Sequence, residues 1–310
     1  MKRAQRRRRR VAVLLGGLSA EREVSEVSGR AVVLALRGLG YTVTPVQAGR
    51  DLADRLHDAH PDVVFNALHG RYGEDGCVQG LLEVGGIPYT GAGVLTSALA
   101  MDKARSKTVW KAQGLATPPW VLVGSRTVPA RLPMRLPVVV KPNREGSSVG
   151  VTIVKKRGSL ASAVRKAARF DPEVLIEAYV PGSEVTVGIL NGRSLGTLEI
   201  VAKGEFHSYE VKYTPGLEEF HLPARLPRAT LARIEKLALA AHDALGGGFY
   251  SRVDFRVDGR DPSLIELNTL PGLTALSYLP RIAAYAGVPF PALCEKILDG
   301  AALGVRETRR

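Results

Sequence analysis

Three features of this 310-residue chain predict an α/β fold in which an N-terminal parallel-sheet unit is followed by two α+β units. Short apolar runs alternate with helical periodicity from Val11 to Leu68, strands recur between Val138 and Val180, and a long amphipathic hairpin lies around Gly259. Val11-Ala-Val-Leu-Leu15 ends at Gly16-Gly17, as a buried parallel strand entering a loop does. Val24, Val27, Ala31, Leu34, Ala35 and Leu39 then recur at helical spacing until Gly38 and Gly40 stop them. Residues 41–46 and 63–68 predict further strands around a helix over 51–59. Gly16-Gly17 does not fit GxGxxG, so a dinucleotide fingerprint is absent.

Residues 101–114 read as one helix, broken by Thr117-Pro118-Pro119 before a strand. A strand over 138–142 stops at Pro142 and opens into Asn143-Arg-Glu-Gly-Ser-Ser-Val-Gly150. A strand over 151–154, a helix over 159–169 and a strand over 174–180 complete that unit. Asn191-Gly192, between strands at 184–190 and 193–201, signals a type I′ hairpin, because both turn positions need positive φ. The longest helical periodicity covers 227–245, and two shorter ones cover 279–286 and 290–298.

Composition narrows the class. No apolar run approaches the roughly 20 residues that a membrane helix requires, and residues 11–15 are too short for a signal-peptide core. A cytoplasmic protein is expected. Cys77 and Cys294 form no CxxC pair and sit in apolar helical contexts, which predicts two buried, inert thiols. The formal charge of +13 is concentrated at the ends: Lys2, Arg3 and Arg6 to Arg10 supply seven charges and the last five residues a net two, leaving +4 for the body. Residues 1–10 therefore read as a disordered basic tail. A body so near neutral suits an enzyme with anionic ligands better than a nucleic-acid-binding protein working through basic ends.

The hairpin carries the sharpest chemical signal. A symmetric register about residues 258–262 sets Asp254 opposite Glu266 and Arg252 opposite Asn268. Alternation puts Val253, Phe255, Val257, Ile265 and Leu267 on one face and those four polar residues on the other. Two carboxylates and an amide oxygen beside an arginine are hard ligands suited to Mg²⁺, whose octahedron substrate phosphates can complete. Lys141 with the loop Gly146-Ser147-Ser148-Val149-Gly150 offers a complementary phosphate cradle, although GxxxxGK[ST] is missing.

Several motifs in order, Gly16-Gly-Leu-Ser-Ala-Glu21-Arg-Glu23-Val-Ser25, Leu68-His69-Gly70, Lys141-Pro-Asn-Arg-Glu-Gly-Ser147-Ser148, Tyr209-Glu-Val-Lys212-Tyr213 and Glu266-Leu-Asn268-Thr-Leu-Pro-Gly272, make the chain resemble the D-alanine:D-alanine ligases of the ATP-grasp superfamily from about Val11 to Leu298. The resemblance implies a pre-ATP-grasp domain (11–100), a central ATP-grasp lobe (101–180) and a C-terminal lobe with lid and metal site (181–304). It implies ATP and D-alanine as substrates, two Mg²⁺ or Mn²⁺ ions, and a cytoplasmic homodimer serving peptidoglycan synthesis, with no membrane insertion and no specific nucleic acid.

Residue roles follow by motif position. The resemblance assigns Lys103, Lys141 and Ser148 to ATP phosphates, Glu177, Ala178, Tyr179 and Val180 to adenine through backbone groups, and Glu184 to the ribose. Asp254, Glu266 and Asn268 would hold the metal ions, with Glu266 bridging. Glu21 would face the first ammonium with His69 in support, Arg252 and the Gly272 N–H would stabilise the oxyanion, and Ser277 with Lys212 would grip the second carboxylate. Ser147, Tyr213 and Glu21 would close a lid over residues 206–222, and a tyrosine at 213 favours dipeptide over D-alanyl-D-lactate. The chain departs from the pattern in its Arg-rich leader, in Tyr278, where an aliphatic residue is common, and in Glu218-Glu-Phe-His221. Those departures bear on the second substrate, where D-lactate or D-serine is the alternative.

Overall fold

Side chains that alternate along one central strand organise the first part of the molecule. The computed structural model describes residues 9–125, 127–202, 218–274 and 277–304. In it β1 (Arg10–Gly16) lies between β2 (Thr42–Ala48) and β3 (Val63–Asn66), all parallel. Val11, Val13 and Phe65 share a core with Val32 and Leu36 of α1 (Arg22–Gly38) and with Leu293 and Ile297 of α9 (Phe290–Asp299). Ala12, Leu14 and Val64 point the other way, onto Leu52 and Leu56 of α2 (Leu52–Ala59) and Val78 and Leu82 of α3 (Cys77–Val84). Covering on both faces explains why β1 reads as a continuous apolar run. Because α9 returns to this sheet, a helix from late in the chain is part of the first unit's core.

Two sequence expectations change here. Arg10, assigned to the tail, opens β1: its backbone N–H and its Nη2 donate to Asp62 at 2.7 and 3.0 Å, and a carboxylate so placed anchors the strand's first residue. Cys294 is buried as expected, but Cys77 is exposed. Val78, Gln79 and Leu82 take the inward face of α3, and Cys77, at its first position, is turned away from them.

The helix expected over 101–114 is α5 (Lys103–Ala112), and a helix that the sequence reading did not include, α4 (Val94–Met101), precedes it. Asp102 separates them: its backbone is extended (φ −90°, ψ 96°) and its carboxylate accepts the Arg105 N–H at 3.0 Å, as an N-cap does. Beyond it, β4 (Trp120–Gly124), β5 (Val138–Pro142), β6 (Thr152–Val154) and β7 (Glu173–Ala178) form an antiparallel sheet in the order β4-β7-β5-β6. Helix α6 (Leu160–Ala167) packs on it through Leu160, Ala163 and Val164.

A third sheet runs β10-β9-β8-β11-β12, from β8 (Ser183–Leu190), β9 (Arg193–Ala202), β10 (Glu218–His221), β11 (Tyr250–Asp258) and β12 (Asp261–Asn268). Asn191 and Gly192 have φ of 50° and 68°, the two left-handed positions that the I′ turn demands. α7 (Arg228–Ala244) covers this sheet with Ile234 and Ala238, and α8 (Tyr278–Tyr285) packs against β8 and β9. Trp110 of α5 is fully buried in the same core and donates its Nε1–H to the Ala241 carbonyl at 3.0 Å. Helix α5 is thereby fixed to the third sheet while its first turn faces the second, and the site lies at that junction. No helix among the described residues is long and apolar enough to cross a membrane.

Candidate active site

The β11–β12 register is the expected one at its chemical end: Asp254 pairs with Glu266 and Arg252 with Asn268. Nearer the turn it is displaced, because Asp258 pairs with Asp261 around Gly259-Arg260 and Phe255 pairs with Leu264. A bulge at Ile265 absorbs the difference. Without it Ile265 would stand opposite Asp254, and the two carboxylates would not meet. The bulge also corrects one assignment: Leu264, not Ile265, joins Val253, Phe255, Val257 and Leu267 in the core, while Ile265 lines the cavity.

That cavity, of about 440 Å³, lies between the second and third sheets and fits a ligand of nucleotide size. Ala178, Tyr179 and Val180 line it where the chain passes from one sheet to the other, with Glu184 nearby. Ser147 and Ser148 line it from the β5–β6 loop and hold φ of 52° and 57°, a conformation that non-glycine residues seldom adopt outside sites that need it. Lys103, the first residue of α5, sends Nζ to the Glu145 carbonyl at 2.6 Å and to Glu266 Oε2 at 3.2 Å. One ammonium thus touches both the loop and the acidic face.

Behind Lys141 lies Lys107, to which the motifs gave no role. Glu177 is buried between Lys141, at 2.5 Å, and Lys107, at 2.9 Å. Its side chain serves this ion cluster, so only its backbone is left for the adenine role. Burial works against the Glu177 carboxylate, yet the two ammonium groups outweigh it and hold its pKa down at about 2. Burial pushes the Lys107 ammonium down to about 8 against the pull of Glu177. Lys107 also donates to Thr117 Oγ1 at 2.7 Å. A signal for it existed: Lys103 and Lys107 are four residues apart on one helix face.

The first unit meets the cavity through Glu21, which accepts a short hydrogen bond from Ser147 Oγ. Ser19 orients that loop by donating to the His69 carbonyl at 2.6 Å and accepting the Glu21 N–H at 3.2 Å. His69 is buried, with Nδ1 3.2 Å from Glu74 Oε1 and Nε2 3.2 Å from Ser28 Oγ. Burial raises the Glu74 pKa, although His69 opposes it. Ser28 also accepts the Leu273 N–H at 3.3 Å, tying the first unit to the loop that carries Gly272. Ser28 and Glu74 were given no role from sequence, since either is an ordinary polar residue until the fold sets it beside His69.

On the third sheet, Arg252 Nε and Nη2 donate to Asp254 Oδ1 and Oδ2 at 2.9 and 2.8 Å, and Thr186 Oγ1 donates to the same carboxylate. Asn268 Nδ2 donates to Asp254 Oδ2 at 3.0 Å. Turning that amide over presents its oxygen instead, so Asp254, Glu266 and Asn268 form an oxygen-donor set that fits a hard divalent ion. Among the described residues no group of three or more acidic, histidine or cysteine side chains forms a metal cluster, and the amide is needed to complete the set. Ser277 Oγ accepts the Thr274 N–H at 3.1 Å and lies against Gly272, where a Cβ would approach it to 2.7 Å. Lys212, Tyr213 and most of the expected lid lie outside the described residues.

Comparison with known proteins gives the chain's relatives. The family profiles described as D-ala D-ala ligase N-terminus and C-terminus match residues 50–92 and 109–299. The chain is 51% identical over 300 residues to a D-alanine–D-alanine ligase of Citrifermentans bemidjiense, covering 96% of this chain and 98% of that one. It is 52% identical over 305 residues to a D-alanine–D-alanine ligase of Anaeromyxobacter sp. strain Fw109-5, covering 95% and 97%. The crystal structure of D-alanine–D-alanine ligase from Bacillus anthracis complexed with ATP matches with a TM-score of 0.83 at 34% identity, over 94% of this chain and 97% of that one.

Proposed function

The chain belongs to the D-alanine:D-alanine ligase family, and we propose that it joins two D-alanine molecules at the expense of ATP through an acyl phosphate. One observation carries the assignment of roles: Lys103 and Lys141 share a cavity with Asp254 and Glu266, and the Ser147 loop on its rim is bonded to Glu21 of the first unit. The lysines and the backbone of the Ser147-Ser148 loop neutralise and orient the phosphates. Ala178, Tyr179 and Val180 present backbone groups to adenine, and Glu184 accepts from the ribose hydroxyls. Asp254, Glu266 and Asn268 would hold Mg²⁺ or Mn²⁺, which supplies positive charge to the phosphate oxygens.

The carboxylate of the first D-alanine attacks the γ-phosphorus, and ADP leaves. Activation is required because a carboxylate oxygen is a poor leaving group. The amine of the second D-alanine then attacks the acyl carbon, and inorganic phosphate departs. Glu21, backed by His69, binds the first ammonium. Arg252 and the Gly272 N–H face the oxyanion of the tetrahedral intermediate, a contact whose loss costs about 2.7–4 kcal/mol. Ser277 and Lys212 take the second carboxylate. Tyr213, with Ser147 and Glu21, closes the site against water, which would hydrolyse the acyl phosphate. The same family reading makes the protein a cytoplasmic homodimer in peptidoglycan precursor synthesis.

Product analysis tests the reaction. With ATP, Mg²⁺ and D-alanine, offered alone and against D-lactate or D-serine over a range of pH, D-alanyl-D-alanine is the expected main product with one ADP per dipeptide. A dominant depsipeptide or mixed dipeptide would reassign the second substrate, and ADP release independent of D-alanine would remove the ligase reading.

A further inference from the structure

Tyr278 is the departure at the second-substrate end that no step above uses. It opens α8 directly after Ser277 and is 6% exposed. Its ring centroid lies 5.3 Å from the Arg252 guanidinium carbon. Asp254 holds Arg252 through Nε and Nη2, which leaves Nη1 as the edge that can be offered to a substrate. A fork on a carboxylate can still rock about the line joining them, and an aromatic face beside the cation opposes that motion.

The ring is itself held. Its hydroxyl donates to Glu218 Oε1 at 2.7 Å, and it meets Phe220 at a 5.7 Å centroid distance and a 58° tilt. The Arg281 guanidinium covers Phe220 at 4.5 Å. Glu218 and Phe220 belong to β10, the other unfamiliar segment of the sequence, so the two departures touch each other, and one of them, Tyr278, touches Arg252. Burial, then Glu218, raises the phenol's pKa, so the hydroxyl stays a donor. An aliphatic side chain would fill the volume with neither a π face for Arg252 nor a partner for Glu218.

The geometry points to Tyr278 as a positioning residue for Arg252: its ring and its bond to Glu218 fix the guanidinium so that Nη1 faces the reacting carbonyl. This inference rests on the ligase reading of Arg252. Dipeptide formation by the full-length wild-type enzyme tests that reading first; if no dipeptide forms, the reading fails and takes the inference with it.

If the wild type is active, kcat, the KM for ATP, the KM for each D-alanine and the ADP-to-dipeptide ratio are compared across variants. Tyr278→Leu, which removes both contacts, is expected to lower kcat about 10-fold and to leave the KM for ATP within about 2-fold. Its ADP-to-dipeptide ratio rises, because a longer-lived acyl phosphate is exposed to water. Tyr278→Phe and Glu218→Gln each lose about 3-fold in kcat. In the background of Arg252→Lys, Tyr278→Leu adds little further loss, since it acts through the missing guanidinium.

Wild-type kcat in Tyr278→Leu, or losses that simply multiply in the double variant, would overturn the inference. So would losses that track a fall in Tm. Should Tyr278→Leu not fold, Tyr278→Phe and Glu218→Gln decide: unchanged kcat in both sinks the claim.

Discussion

Two charged regions of this molecule, one set into the cavity wall and one on its open face, use similar residues to opposite ends. In the Lys107–Glu177–Lys141 cluster the charges are dehydrated and satisfied mainly by one another. On the β11–β12 face Asp254 and Glu266 are only partly buried and line the cavity, Asp254 matched to Arg252 and Glu266 to Lys103. The closed cluster ties its charge to the stability of the fold. The open face keeps oxygen donors turned to the cavity at little structural risk.

Breaking the closed cluster should have the largest effect. Glu177→Gln leaves two buried ammonium groups without their anion, with an expected loss of about 3–5 kcal/mol of stability, read as a lower urea midpoint. The KM for ATP should rise with it, as Lys141 loses its support. The acid limb gives a second readout. The folded Glu177 carboxyl titrates at about 2 and the unfolded one near 4.5, so its stabilisation is whole above about pH 4.5 and is lost as pH falls toward 2. The Gln variant should lack that part of the acid slope.

Glu266→Gln sharpens the comparison from the other side. It should cut turnover by about 100-fold or more while changing the stability measured by urea unfolding by less than about 1 kcal/mol. Near-normal turnover would take Glu266 out of the ligand set, and a large stability loss would make the open face structural after all. The smallest effect is expected outside both regions, in the first unit. Ser28→Ala removes the hydroxyl between His69 and the Leu273 N–H, and should raise the KM of the first D-alanine by about 3-fold without altering the KM for ATP.

Much of this was legible in the chain as written. Period-two alternation placed Asp254 opposite Glu266, and Asn191-Gly192 announced its hairpin, because each signal depends on residues close in sequence. The failures share a cause. Ile265 was put in the core because a bulge follows from how a two-residue turn joins a register set farther along the strands. Cys77 was buried on composition, when its place on α3 turns it outward. The helix over 101–114 starts two residues late, because Asp102 caps it, and the helix over 94–101 before it was not read at all.

Local pattern therefore determined the strands, the major helices, the acidic hairpin face and the family's motifs, since backbone periodicity and turn chemistry act over a few residues. Only the tertiary structure decided that α9 completes the first sheet's core, that Lys107 shares Glu177 with Lys141, that Ser28 joins His69 to the Gly272 loop, and that Tyr278 underlies Arg252. Those contacts join residues far apart in the chain or on different elements, and their chemistry appears only once burial has stripped the water from them.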